Sequence, residues 1–197
     1  MVHNIADLAI LVVEMRYVGD PNTAYLYWGK MAEEVTLVMV MSVDGRVTRG
    51  DEVDVRPWSS REDQEHFAVL VEAAEVIVMG RKTYEVAKHL MEHKFGRVRI
   101  VMTRHPENYN DNKWVKFTNK IPRMKNMLVV GGSEVAAIFL REKLITRLLV
   151  TVEPVVFGGG KNLLNGLITG VNLKLEKFRQ LNDQGTLLLE YRVEYES

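Results

Sequence analysis

No cysteine occurs in the 197 residues, so disulfides, thiolate nucleophiles and cysteine-ligated zinc are all excluded. An excess of either charge is missing too: Lys and Arg together number 26, as do Asp and Glu. With no net field to draw in nucleic acid or an anionic membrane, any phosphorylated ligand must be held by local groups. Long apolar runs are absent. The first, residues 8–13, is far shorter than a spanning helix needs, and Asp7 and Glu14 bracket it. It lacks a basic leader, which argues against a signal peptide. The expectation is a soluble cytoplasmic protein that binds neither nucleic acid nor membrane. Two glycine signatures, G-x-G-x-x-G and Walker A, are also missing, so a plain Rossmann or P-loop reading does not fit.

What remains is ordinary globular material, 47% hydrophobic and 26% charged, in a length that suits one domain with an appendage. The first 34 residues read differently from the rest. Residues 5–16 read as a short helix capped by Asn4, followed by a turn at residues 19–22 and then Tyr25, Tyr27 and Trp28. The division expected is an appendage at 1–34, packed on the main domain or a partner subunit, and a domain at 35–197.

From residue 35 the pattern alternates. Apolar, β-branched runs at 35–41, 76–79, 98–102, 127–130 and 148–152 read as strands, and residues 62–74, 83–91 and 134–141 read as helices. Two closing strands, 173–180 and 186–195, meet around Asn182-Asp183-Gln184-Gly185, a hairpin signal. This order predicts an α/β fold of three layers, with helices on both faces of a mostly parallel sheet and an antiparallel C-terminal hairpin. Met39, Met41, Met79 and Met102 fall within strands and are expected in the core.

Ser59 followed by Glu62 predicts a capping box opening the first of these helices. Its apolar stripe is Phe67, Leu70 and Ala74, and four residues before Phe67 stands Asp63. Helical geometry puts Asp63 on that stripe rather than on the solvated face. One reading makes it a first-turn acid complementing the helix dipole. The other puts it at a cavity edge, partly desolvated, with a raised pKa suited to protonating a nitrogen heterocycle.

Three strands end in features suited to anions. The second runs into Gly80, Arg81, Lys82 and Thr83, with Thr83 as a helix cap; the third runs into Thr103 and Arg104; the fourth runs into Gly131, Gly132 and Ser133 ahead of Glu134 and Val135. Ligands of open α/β sheets bind at such strand ends. A Gly-Gly turn admits a pyrophosphate to a helix N-terminus, and the basic residues suit a further phosphate. The histidines at 3, 66, 89, 93 and 105 form no ligand set: His89 and His93 are four apart but lack a third partner, so no metal site is expected. No nucleophile elbow supports a Ser-His-Asp set.

These residues together resemble the dihydrofolate-reductase-like superfamily over residues 35–195. Pro57-Trp58, Asp63, Phe67 and Gly80-Arg81-Lys82-Thr83-Tyr84 resemble dihydrofolate reductase itself, and Arg97 resembles its anchor for the substrate carboxylate. Ser42-Val43-Asp44-Gly45-Arg46-Val47, Trp58-Ser59-Ser60, Val129-Val130-Gly131-Gly132 and above all Glu153-Pro154-Val155-Val156-Phe157-Gly158-Gly159-Gly160-Lys161 are similar to the reductase domain of the riboflavin-biosynthesis deaminase-reductases. The resemblance implies NADPH across the strand ends. Its pyrophosphate would lie at Gly131, Gly132 and Ser133 beside Glu134 and Val135, and its adenosine phosphate near Arg81, Lys82 and Arg104. Gly80, Thr83 and Thr103 complete that cradle, and the nicotinamide end falls near Asp44, Thr48, Gly158 and Gly159. Substrate is implied at Trp58, Ser60, Asp63, Arg97 and Glu153, with Asp44 and Asp63 as catalytic residues, in a homodimer.

Two departures stand out: Val130 occupies the place of a substrate-contacting acid, and Tyr84-Glu85-Val86 replaces an Asp-x-Pro segment. No deaminase segment precedes the reductase, so a stand-alone enzyme is expected. The implied activity is reduction of a 5-amino-6-ribosylaminouracil phosphate-like substrate. Dihydrofolate or pterin reduction, and NADP binding without catalysis, are the alternatives.

Overall fold

The computed structural model describes residues 10–14, 32–91, 98–104, 114–116, 124–164 and 170–195. In chain order these form β1 (Ile10–Glu14), β2 (Ala32–Ser42), α1 (Arg61–Ala73), β3 (Val76–Gly80), α2 (Arg81–Met91), β4 (Val98–Thr103), β5 (Trp114–Lys116), β6 (Met124–Val129), α3 (Ser133–Arg141), β7 (Arg147–Glu153), β8 (Asn172–Gln180) and β9 (Leu187–Glu194). The strands make one nine-stranded sheet in the order β5-β1-β4-β3-β6-β2-β7-β9-β8. All pairings are parallel except β7 with β9 and β9 with β8, the hairpin at the C-terminal edge.

Parallel central strands must be apolar on both faces. Accordingly, Val76, Ile77, Val78 and Met79 of β3 are all buried, and alternate residues serve two separate cores. Val76 and Val78 join Leu37, Ile100, Val129 and the α3 side chains Val135, Ala136 and Phe139 on one face. Ile77 and Met79 join Val38, Val101 and Leu149 on the other, with Leu70, Val71 and Ala74 from α1 and its end. The sheet is therefore sandwiched between helices, as the alternation predicts. Met39, Met79 and Met102 are core residues, and Met41 packs against the core partly buried.

Three local expectations need correction. The helix expected over residues 5–16 does not form where it is described: Ile10–Glu14 is a strand paired in parallel with both β4 and β5. A β-branched run with a strand to join on each side takes the sheet pairing over a weak helix preference. The α1 cap is Ser60 rather than Ser59: Ser60 is extended, and its hydroxyl accepts from the Asp63 amide at 3.3 Å. Ser59 is instead drawn back by its own amide, which donates to the Val55 carbonyl at 2.9 Å. Thr83 is not a cap, because α2 begins at Arg81, directly after β3. Replacing Ser60 with alanine should cost about 1 kcal/mol of stability, read by chemical denaturation; the same change at Ser59 should leave α1 capped.

The hairpin signal is realised: the Gly185 amide donates to the Asn182 carbonyl at 3.2 Å, and Gly185 takes a φ of 97°. Among the described residues no helix is long and apolar enough to cross a membrane.

Candidate active site

A cavity of about 590 Å³ opens between α1, α2 and the C-terminal ends of the central strands. Its glycine-rich end is built by close backbone approach. The Gly80 amide donates to the Gly131 carbonyl at 2.8 Å, clasping β3 to the turn after β6. A Cβ on Gly131 would come within 3.1 Å of the Met39 sulfur, and one on Gly80 within 3.3 Å of Val135 Cγ2. Gly132 then caps α3, where Ser133 borders the cavity and its buried hydroxyl lacks a hydrogen-bond partner among the described residues. A buried hydroxyl at a helix N-terminus, beside unpaired amides, is a donor set shaped for an anion.

The predicted residues divide clearly. Gly80, Arg81, Lys82 and Thr83 line the cavity from the start of α2, and Thr103 and Arg104 line it from the end of β4. Gly132, Ser133, Glu134 and Val135 line it from α3, and Thr48 and Asp63 from the opposite wall. Asp44, Trp58, Ser60, Glu153, Gly131, Gly158 and Gly159 do not line it. Arg97 lies outside the described residues.

Asp63 is buried in the first turn of α1. Burial pushes its pKa up to about 6; a hydrogen bond with Thr151 opposes the rise and the charge of Glu153 adds to it. A carboxyl that titrates near neutrality inside a cavity can hold a proton for a ligand nitrogen.

Asp44 has the opposite character. The Ser42 hydroxyl (2.7 Å) and the amides of Phe157 (3.1 Å) and Gly158 (2.9 Å) all donate to it. These donors, Ser42 foremost, hold its pKa down to about 2. It is a fixed anion that ties the turn after β2 to the loop after β7. Trp58 packs edge-on against Phe157 of that loop, ring centres 5.1 Å apart.

Among the cavity residues that the sequence reading did not assign are two cations, Arg99 and Lys161. Arg99 lines the cavity from β4 and is only 1% exposed. A lone cation within Val98-Arg99-Ile100-Val101 was a readable signal, since a central parallel strand has no solvated face to put it on. Lys161, directly after the glycine cluster, lines the cavity and pairs with Glu134 at 3.5 Å.

Residues 34–159 match the sequence model of the dihydrofolate reductase family, and the chain belongs to that family. The uncharacterized protein YwjB of Bacillus subtilis (strain 168) is 26% identical over 162 residues, 76% of this chain and 93% of that one. A protein of Shewanella sp. PV-4 assigned to riboflavin biosynthesis superposes with a TM-score of 0.63 at 21% identity, over 82% of this chain and 99% of that one. Dihydrofolate reductase from Enterococcus faecalis, complexed with NADP(H) and RAB-propyl, gives 0.59 at 16% identity, over 85% and 98%. The fold is the dihydrofolate-reductase-like one, with a mostly parallel sheet and antiparallel C-terminal strands.

Proposed function

We propose that the chain is an NADPH-dependent reductase of a small nitrogen heterocycle, a ribosylaminopyrimidine phosphate as in riboflavin biosynthesis. One observation carries the reading: a single cavity joins an anion cradle at Gly132 and Ser133 to a buried, neutral-range acid at Asp63. The cradle fits a dinucleotide, because the Ser133 hydroxyl and the first amides of α3 need an acceptor that a phosphate oxygen provides. Arg81, Lys82 and Arg104 would take the additional phosphate of NADPH, with Thr83 and Thr103 as neutral donors beside them. The cofactor, when bound, supplies a hydride. The chain's own part is to exclude water, align the heterocycle against the Thr48 wall and hold a proton on Asp63 for a ring nitrogen.

In this reading Asp44, Gly158 and Gly159 shape the loop beside the nicotinamide end, and Trp58 and Ser60 back the substrate wall. Arg97 remains the proposed anchor for a substrate anion. The working form is a cytoplasmic homodimer; the exposed Leu175 and Phe178 on edge strand β8 favour self-association. Asp63 also favours a second reading, reduction of dihydrofolate or another pterin, since a pteridine ring nitrogen suits the same acid.

The test is NADPH oxidation followed by absorbance with each heterocycle offered in turn. Turnover of the ribosylaminopyrimidine phosphate is expected, and turnover of dihydrofolate alone selects the second reading. Tight NADPH binding without turnover of any would leave a non-catalytic nucleotide binder and sink the enzyme reading. Thermal protection by NADH equal to that by NADPH would remove the role given to Arg81, Lys82 and Arg104.

A further inference from the structure

Glu153, which the family resemblance puts at the substrate, is 3% exposed and is not among the residues that line the cavity. One carboxylate oxygen accepts from the Ser60 amide at 2.7 Å and the other from the Thr186 hydroxyl at 2.7 Å. The side chain therefore ties the end of β7 to the cap of α1 and to the turn before β9. Thr186 is itself held by Asn182, whose side-chain amide also reaches Glu62 in the first turn of α1 at 3.1 Å. Both donors to Glu153 are neutral, so its negative charge is solvated locally but not cancelled. Thr151, the partner of Asp63, stands two residues before Glu153 on β7, so both point to the same face of the sheet. Two buried carboxyl groups thus share one wall, one opening on the cavity and one behind it.

We propose that Glu153 is a positioning residue for Asp63. It seats the N-terminus of α1 through the Ser60 amide, Ser60 in turn holds the Asp63 amide, and the Glu153 charge adds to the burial that raises the Asp63 carboxyl. The other charged groups near this wall do not take over the role: the Asp54–Arg56 pair satisfies itself at 2.7 Å, and Arg99 stands at the β4 side of the cavity. This assignment rests on Asp63 as the acid of the proposed reductase and adds a residue that holds it in place.

The test is a titration of the Asp63 carboxyl in the free protein, by carbon NMR or infrared difference spectroscopy, with no turnover involved. It therefore stands or falls separately from the choice of substrate. Glu153→Gln keeps an acceptor for the Ser60 amide and removes the charge; the Asp63 midpoint should fall by a fraction of a pH unit while burial keeps it above the ordinary carboxylate value. Glu153→Asp keeps the charge and should keep the midpoint near the wild-type value. It also serves as the deciding variant if the glutamine protein does not fold. A midpoint unmoved by glutamine, or one that collapses in the aspartate variant, overturns the proposal. A raised KM with an unmoved midpoint would return Glu153 to substrate contact and overturn it as well.

Discussion

Asp63→Asn should give a protein that is more stable than wild type at neutral pH and far less active. The sign follows from the direction of the shift. The native carboxyl titrates at about 6 against 3.8 in the unfolded chain, so the folded state holds the proton more tightly. Stability is therefore lost as pH rises from about 4 through 6, and above that the full penalty of a buried charge is present. Two pH units correspond to roughly 3 kcal/mol, an upper figure for the gain at pH 7 to 8. That gain should fade to nothing below pH 4, where both proteins are neutral at this position. Chemical denaturation of the two proteins across this range is the measurement; a constant difference at every pH would mean that Asp63 acts only through its shape. If Asp63 supplies the proton, catalysis should fall by about 10²- to 10⁴-fold in the variant. Wild-type turnover should decline as pH rises through about 6, and the residual activity of the variant should not.

Among the described glycines, Gly160→Ala should be the most damaging exchange. Gly160 has a φ of 124°, and a Cβ there would lie 2.0 Å from the Thr48 carbonyl oxygen, a backbone atom that cannot swing aside. Strain and clash together should cost on the order of 3 kcal/mol or more. The damage reaches the cavity, because Thr48 Oγ1 accepts from the Lys161 amide at 2.8 Å and both residues are cavity wall. Gly159→Ala is the internal control: its Cβ would meet nothing within 4 Å. Urea unfolding should separate the two neighbours sharply, and equal stability would remove the account of why a glycine stands at 160.

The order of strands and helices was readable because each element repeats its own period over most of its length. Buried positions such as Ile77 and Val78 serve opposite cores while still reading as one apolar run. Asp63 was legible for the same reason, as a polar residue on an apolar stripe. Ile10–Glu14 was not, since its strand state depends on β4 and β5, far along the chain. The capping register slipped by one because two serines are adjacent, and the contacts that separate them include a long-range one, from the Ser60 amide to Glu153. The partners of Glu153 were not readable either: a motif can put an acid at a strand end without saying that Ser60 and Thr186, far off in the chain, will donate to it. The charge on Arg99 was visible, but its use was hidden by the strands around it.

Asp44 and Asp63 divide the response to acidity between them. With its pKa held near 2 by Ser42 and two loop amides, Asp44 keeps one charge state across every pH at which a cell lives. The junction it makes between the two loops is therefore blind to proton concentration. Asp63, across the cavity wall, changes state within that same range. Mild acid therefore changes the charge at Asp63 while the junction made by Asp44 stays as it is, and the two ends of the site answer differently to the same proton.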